Sequence, residues 1–139
     1  WEWNWAGSGQ LSNQNLIGSE QFGAGGMNTV RGYQEGEVYG DEGLRLSQEL
    51  LTPAFAIARR LGFSRQDGMR LYVFQDFAGT HSVKKLPGED HAYLHSAGLG
   101  LRYQIGQLMT AQVAWGRQLR NIESDPENHN IHFSVQFSY

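Results

Sequence analysis

Apolar and polar residues alternate with a period of two over most of this chain. Alternation of that kind is typical of β-strands whose two faces meet different surroundings. It predicts six strands, at about residues 1–14, 44–54, 69–83, 92–105, 108–119 and 131–139. Strands that follow one another this closely pair most simply with their neighbours, so we expect an all-β chain arranged as an antiparallel meander.

The alternation stops between residues 16 and 43, where glycines are frequent. Within this stretch Gly25 and Gly26 open a run that ends in Val30, Arg31, Gly32 and Tyr33. No lysine-serine or lysine-threonine pair follows the two glycines and no helical pattern begins there, which argues against a phosphate-binding loop. A long loop without secondary structure of its own is usually functional. We therefore interpret residues 16–43 as a plug or latch that folds back on the strands.

The connections between the predicted strands alternate in length. Residues 16–43, 84–91 and 120–130 form long connections, whereas residues 58–68 and 106–107 form shorter ones. A membrane barrel has long loops on one side and short turns on the other, and its tilted strands are about ten residues long. The non-apolar faces carry small polar residues that suit a wet lumen. This pattern favours six antiparallel strands of a transmembrane β-barrel over a soluble sandwich.

Three tryptophans, Trp1, Trp3 and Trp5, share one face of the first predicted strand. Aromatic residues at one end of a strand are typical of the girdle at a lipid interface. The same pattern also fits a soluble β-sandwich that binds carbohydrate through its tryptophans, and this strand alone does not decide between them. Detergent dependence separates the two, because barrel strands expose lipid-facing residues and open edges.

Composition narrows the function classes further. A net charge of -3, a pI near 5.9 and scattered basic residues argue against a nucleic-acid partner. The chain has no cysteine, so it has neither disulfides nor thiolate metal ligands. It begins without an initiator methionine, which we interpret as a fragment or a processed chain.

No local spacing supports a catalytic or metal site. His91 and His95 would lie about 13 Å apart along one strand, too far to share a metal ion. No Ser-His-Asp or paired-carboxylate arrangement is present in local sequence. We therefore expect no enzyme activity, no metal and no cofactor.

Several short motifs, in order, resemble the two-partner secretion transporters, the TpsB family, within the outer-membrane superfamily that includes the assembly factor BamA. The motifs are Glu20-Gln21-Phe22, Gly25-Gly26, Val30-Arg31-Gly32-Tyr33, Gly40-Asp41-x-Gly43, Glu49-Leu50 and Phe74-x-Asp76-x-x-Gly79. In the superfamily the last motif usually has glycine two residues after the aspartate, where this chain has Ala78. The resemblance extends over essentially the whole chain and implies that it forms the C-terminal six strands of a transmembrane β-barrel in contact with outer-membrane lipid.

The resemblance implies an outer-membrane channel for an unfolded, secreted partner polypeptide of the hemolysin or adhesin kind. A BamA-like assembly barrel is the alternative within the same fold. The resemblance implies that Arg31 is the arginine at the tip of a loop that folds into the barrel lumen. It also implies that Asp76 is the partner of this arginine on the inner wall, with Phe74 beside it. Pattern alone favours a solvated carboxylate for Asp76. The terminal Phe133, Val135, Phe137 and Tyr139 resemble the signal read by the outer-membrane assembly machinery.

Overall fold

Eight strands are present in the computed structural model, which describes residues 1–57, 67–83, 91–120 and 128–138. They are β1 (Glu2–Gln10), β2 (Phe22–Ala24), β3 (Val38–Gly40), β4 (Glu42–Leu51), β5 (Asp67–His81), β6 (His91–Ile105), β7 (Met109–Gln118) and β8 (His129–Phe137). Among the described residues, no helix is long and apolar enough to cross a membrane.

Six strands form one antiparallel sheet in the order β1-β4-β5-β6-β7-β8, with β1 and β8 at its two edges. This is the predicted meander: strands adjacent in the sheet also follow one another along the chain, once the loop between β1 and β4 is set aside. The described fold is all-β, its main sheet is antiparallel throughout, and the edge strands β1 and β8 do not pair with each other among the described residues. Its described strands therefore form one wall rather than two stacked sheets.

The predicted strand ends differ from the observed ones most at β1 and β4, and by two residues or fewer elsewhere. The first strand ends at Gln10 instead of continuing to 14, because Ser12 starts a local turn in which its hydroxyl oxygen accepts a hydrogen bond from the backbone N–H of Gln14. β4 ends at Leu51, two residues before Pro53, which has no N–H to donate to a neighbouring strand. Beyond it, Phe55 makes an isolated bridge to Met69 of β5.

The loop between β1 and β4 contains secondary structure that the sequence pattern did not predict. β2 and β3 pair as a small antiparallel hairpin, with Phe22 opposite Gly40 and Ala24 opposite Val38. Strands of three residues are too short for a period of two to register. Residues 16–43 are thus a folded insertion held by its own hairpin.

The turn between β6 and β7 is one residue longer than predicted. Ile105 pairs with Met109, so residues 106–108 form the turn instead of Gly106 and Gln107 alone. Gly106 has a φ of 51°, a left-handed conformation that glycine adopts without steric cost. Most of each of the predicted connections 58–68, 84–91 and 120–130 lies outside the described residues, at 58–66, 84–90 and 121–127.

The two faces of the sheet differ in the exposure of their side chains. One cross-strand row on the outward face runs through every strand of the sheet: Trp3, Leu50, Val73, Leu99, Trp115 and Ile131. All six side chains of this row are exposed. The opposite face carries the buried residues of β5, including Tyr72, Phe74 and Asp76, and is covered by the loop.

Candidate functional site

The tip of the loop is built around two glycines. Gly25 and Gly26 have φ values of 114° and 105°, which only glycine adopts without strain. They allow the chain to reverse, so that the N–H of Gly26 donates to the carbonyl of Val30 at 3.1 Å. The Thr29 hydroxyl accepts from the N–H of Gly25 at 2.8 Å. This turn presents Arg31 to the wall formed by β4 and β5.

Arg31 binds the Asp76 carboxylate through three hydrogen bonds. Its Nε donates to Oδ2 at 2.7 Å and its Nη2 to Oδ1 at 2.8 Å, the two-pronged geometry that favours arginine over lysine. Its backbone N–H also donates to Oδ2, at 3.0 Å. Arg31 is 4 % exposed and Asp76 is fully buried. The predicted partnership across forty-five positions of sequence is therefore seen in the structure.

Two residues of β4 complete the environment of the guanidinium. Glu49 accepts from Nη1 of Arg31, and the Ser47 hydroxyl lies between the guanidinium and the carboxylate. Ser47 donates to Oδ1 of Asp76 at 2.6 Å and accepts from Nη2 at 3.1 Å. The strand register explains both, because Ser47 pairs with Asp76 and Glu49 pairs with Phe74.

The open face of the guanidinium rests on an aromatic ring. Its Cζ lies 3.7 Å from the centre of the Phe74 ring, close enough for a cation–π contact. The Phe74 and Tyr72 rings lie over β6 at Gly98 and Gly100, where a methyl group would collide with them. Phe74 thus packs against Arg31 as proposed from the sequence. Gly98 leaves room for the Phe74 ring and Gly100 for the Tyr72 ring.

Burial and pairing act in opposite directions on the charge of Arg31. Burial alone would lower the pKa of its guanidinium. The hydrogen bonds and negative charges of Asp76 and Glu49 outweigh burial and raise that pKa above its ordinary value. Arg31 is consequently a fixed positive charge at any physiological pH.

Val30 and Tyr33 anchor the loop on either side of Arg31. Both are fully buried and pack with Ala24, Ala78 and Leu94 in one apolar cluster. The Tyr33 hydroxyl has one proton, which the carbonyl oxygens of His95 and Arg120 share, and it accepts from the His95 N–H at 3.2 Å. Burial raises the pKa of this hydroxyl, which keeps it protonated and able to donate.

Gly32 touches the sheet backbone directly. A methyl group on Gly116 of β7 would lie 2.6 Å from the Gly32 nitrogen, so glycine is required on both sides of this contact. The Gly32 carbonyl accepts from the amides of Gln118 and Asn130, at 3.0 and 3.2 Å. Its N–H donates to Nε2 of His132. The loop tip therefore bridges β4 and β5 on one side to β7 and β8 on the other.

Asp41 joins the two ends of the loop, residues 16–21 and Asp41 itself, which together form its base. Its carboxylate accepts from the backbone N–H groups of Leu16 and Val83, at 2.8 and 2.9 Å, and from the Gln21 amide at 3.3 Å. Those two backbone hydrogen bonds are the main reason that the pKa of Asp41 is lowered, and the nearby charge of His81 contributes. Asp41 is 1 % exposed, so it is a buried part of the loop and not a solvated surface charge.

The C-terminal residues assigned to an assembly signal lie on the outward face of β8. Phe133, Val135 and Phe137 are 78 %, 52 % and 71 % exposed, as the members of a lipid-facing stripe would be. Tyr139 lies outside the described residues. The inward-facing His132 of the same strand contacts the loop.

Sequence reasoning brought together Arg31, Asp76, Phe74 and the loop motif, but it missed several contacts. Missed were Ser47, Tyr72, Gly116, Gln118, Asn130 and His132, and the role of Glu49 as a second carboxylate. A strand-by-strand register would have pointed to Ser47 and Glu49, since both lie opposite the β5 motif. Within the described part of the chain, no cluster of three or more His, Asp and Glu residues suits a metal ion.

Comparison with known protein families supplies the context for this site. The family model described as haemolysin secretion/activation protein ShlB/FhaC/HecB matches residues 1–103. That range contains the whole loop, β4 and β5, and ends inside β6. Comparison with curated proteins and with solved structures gave no match. Because the matched range is well over half of the 139 residues, the chain belongs to the ShlB/FhaC/HecB family of haemolysin secretion/activation proteins, the outer-membrane β-barrel transporters of two-partner secretion.

Proposed function

We propose that this chain forms part of the channel wall through which an unfolded partner polypeptide of the hemolysin or adhesin kind crosses the outer membrane. In this proposal residues 16–43 are a latch held against the inner wall by Arg31. The observation that carries it is the three-bond contact between Arg31 and the buried Asp76. A buried carboxylate that loses its cation is strongly destabilised, so the contact has to be kept or replaced as a unit.

The geometry suits a latch better than a permanent core element. The wall groups that hydrogen-bond the Arg31 guanidinium and the Gly32 carbonyl are polar: Asp76, Glu49, Ser47, Gln118 and Asn130. Polar groups of this kind can be solvated by water if the loop withdraws, whereas an apolar core cannot. The loop thereby shapes the path on the inner side of the sheet.

The test is secretion by the intact transporter carrying Arg31→Ala. We expect partner secretion to be lost while the barrel still inserts, because the outward face of the sheet is untouched. Arg70→Ala is the matched control: Arg70 is another inward-facing arginine, but its ion pair is with Glu2 and not with the loop. Normal secretion by the Arg31→Ala transporter, at normal barrel levels, would contradict the proposal.

The outward face supports a second part of the proposal, contact with outer-membrane lipid. The Trp3 and Trp5 rings are tilted against each other with ring centres 5.3 Å apart, and both are well exposed. In the same proposal Phe133, Val135, Phe137 and Tyr139 are read by the outer-membrane assembly machinery. Phe137→Ser should then slow barrel assembly in cells without weakening the latch contacts, and unchanged assembly kinetics would argue against this role.

The family match favours secretion over the alternative of a BamA-like assembly factor. The two functions differ in their client, which is a soluble partner polypeptide in one case and other barrels in the other. Depleting the transporter should therefore stop the release of one secreted protein and leave the remaining outer-membrane barrels at normal levels.

A further inference from the structure

The Glu49 carboxylate faces two arginines, not one. Its Oε1 binds Nη1 of Arg31 from the loop, and its Oε2 lies 3.4 Å from Nη2 of Arg102 on β6. Both guanidinium groups also lie over the Tyr72 ring, with Cζ 5.7 Å from the ring centre for Arg31 and 5.3 Å for Arg102. The two arginines therefore share one carboxylate and one aromatic surface.

Arg102 is held more loosely than Arg31. Its side chain is 30 % exposed, against 5 % for Arg31, and its contact with Glu49 is longer than an ordinary hydrogen bond. It keeps one hydrogen bond of its own, from Nε to the Gln112 amide oxygen at 3.1 Å. Because Arg102 belongs to β6, its backbone stays in place when the loop moves.

Space for a shift of Arg102 is present beside Glu49. A cavity of about 290 Å³ on the inner face is lined by Arg31, Ser47, Glu49, Arg102 and Gln112, together with loop residues near Met27. A movement of the guanidinium through this cavity would shorten its contact with Glu49. The place vacated by Nη1 of Arg31 would then be filled by another guanidinium.

We propose that Arg102 is a positioning residue that takes over Glu49 when Arg31 withdraws, and so determines how readily the loop is released. The inference rests on the proposed latch function and adds a component to it. In the closed state Arg102 makes one long contact with Glu49. In the open state it would be the cation already in contact with that carboxylate. Arg102 therefore stabilises the open state more than the closed one.

The experiment measures how often the side chain at position 30 becomes accessible to solvent. Val30 is fully buried when the loop is closed. The chain has no cysteine, so Val30→Cys places a single reactive thiol in this region. In the intact, membrane-inserted transporter, the rate of its reaction with a water-soluble maleimide reports how often the loop opens. Counting only the heat-modifiable, folded fraction excludes barrels that failed to insert.

In this background we expect Arg102→Gln to slow labelling several-fold, because release would leave Glu49 without either of the two arginines that contact it in the closed state. Arg102→Lys keeps the charge and should restore most of the rate. Arg70→Gln is the matched control: Arg70 is directly opposite Arg102 in the sheet but pairs with Glu2, and its loss should leave the rate unchanged.

The outcomes separate this inference from the latch itself. An unchanged or faster rate in Arg102→Gln would overturn the role of Arg102, since a residue that only supported the closed state would speed labelling when lost. If Arg31→Ala fails to accelerate labelling, the latch proposal is wrong. Acceleration by Arg31→Ala together with no slowing by Arg102→Gln overturns the present inference alone.

Discussion

Arg31 donates to the Asp76 carboxylate from both its backbone and its side chain. The contact thus fixes the path of the loop backbone as well as the position of the guanidinium. A cation–carboxylate contact made by the side chain alone would allow the backbone to pivot. The combined backbone and side-chain hydrogen bonds therefore hold the loop tip at one position on the inner face of the sheet.

Arg31→Lys should weaken the latch almost as much as Arg31→Ala. Lysine keeps the charge but cannot span both carboxylate oxygens, Ser47 and Glu49 with one planar group. Breaking a buried pair costs about 3–5 kcal/mol, and much of that cost should remain with lysine. Val30→Cys labelling measures the change, and a rate for Arg31→Lys close to that of the parent would show that charge alone suffices.

Tyr33→Phe should destabilise the closed loop by about 1 kcal/mol, the usual net contribution of a hydrogen bond. The substitution removes the hydroxyl that joins the loop to the backbone of His95 and Arg120. Tyr39→Phe is the control, because Tyr39 belongs to the same loop and is 56 % exposed. The rate of loop proteolysis in folded barrels measures the difference. Equal rates for the two variants would contradict the anchoring role.

Gly116→Ala should displace the loop tip although the substitution lies on a regular strand. The added methyl would lie 2.6 Å from the Gly32 nitrogen, too close for the two backbones to keep their contact. Gly68→Ala is a strand control whose methyl would meet only ordinary contacts, at 3.6 Å. We expect faster Val30→Cys labelling for Gly116→Ala alone. Identical behaviour of the two variants would mean that the loop does not press on β7.

The base of the loop should loosen in acid, and Asp41 should be responsible. Its pKa is lowered in the folded protein, so its stabilising contribution is present above the unfolded value near 3.8 and is lost as the pH falls through the lower folded value. Asp41→Asn should loosen the base at neutral pH and remove this acid step. Proteolysis of the loop with an acid-active protease, from pH 6 down to about pH 2, follows the transition. An acid step that persists in Asp41→Asn would assign it to another group.

Leu99→Arg should impair membrane insertion, whereas an inward-facing arginine should be tolerated. Leu99 lies in the middle of the exposed outward row, where an arginine facing lipid costs about 2–4 kcal/mol. Thr110→Arg is the control, because Thr110 lies on the inward face, opposite Gln104. Insertion into lipid vesicles, read by heat modifiability, distinguishes them. Equal insertion of both variants would contradict the assignment of the faces.

The period-two pattern predicted the six long strands and their order because each strand has one apolar and one polar face. It missed β2 and β3, since three residues do not make a period. It also extended the first strand past Gln10, because Leu11 and Ser12 continue the alternation while Ser12 starts a turn. A local hydrogen bond between a backbone N–H and a serine hydroxyl does not change the hydrophobic pattern, so the pattern cannot reveal it.

Pairing of Arg31 with Asp76 was predictable only through the family resemblance, since nothing in local sequence joins positions so far apart. Ser47 and Gly116 could not be predicted for a different reason. Each contacts the loop site only because of the register of its strand, and that register depends on the whole sheet. Asp41 shows the same limit. Its carboxylate is surrounded by backbone N–H groups of distant segments, and backbone groups carry no sequence signal.

The most direct test of the latch is a double-mutant cycle between Arg31→Ala and Asp76→Ala, read by Val30→Cys labelling in the inserted transporter. If the two residues act as one contact, each single variant should accelerate labelling strongly and the double variant should be no faster than the faster single one. Accelerations that multiply in the double variant would show that Arg31 and Asp76 act independently, and would contradict the account.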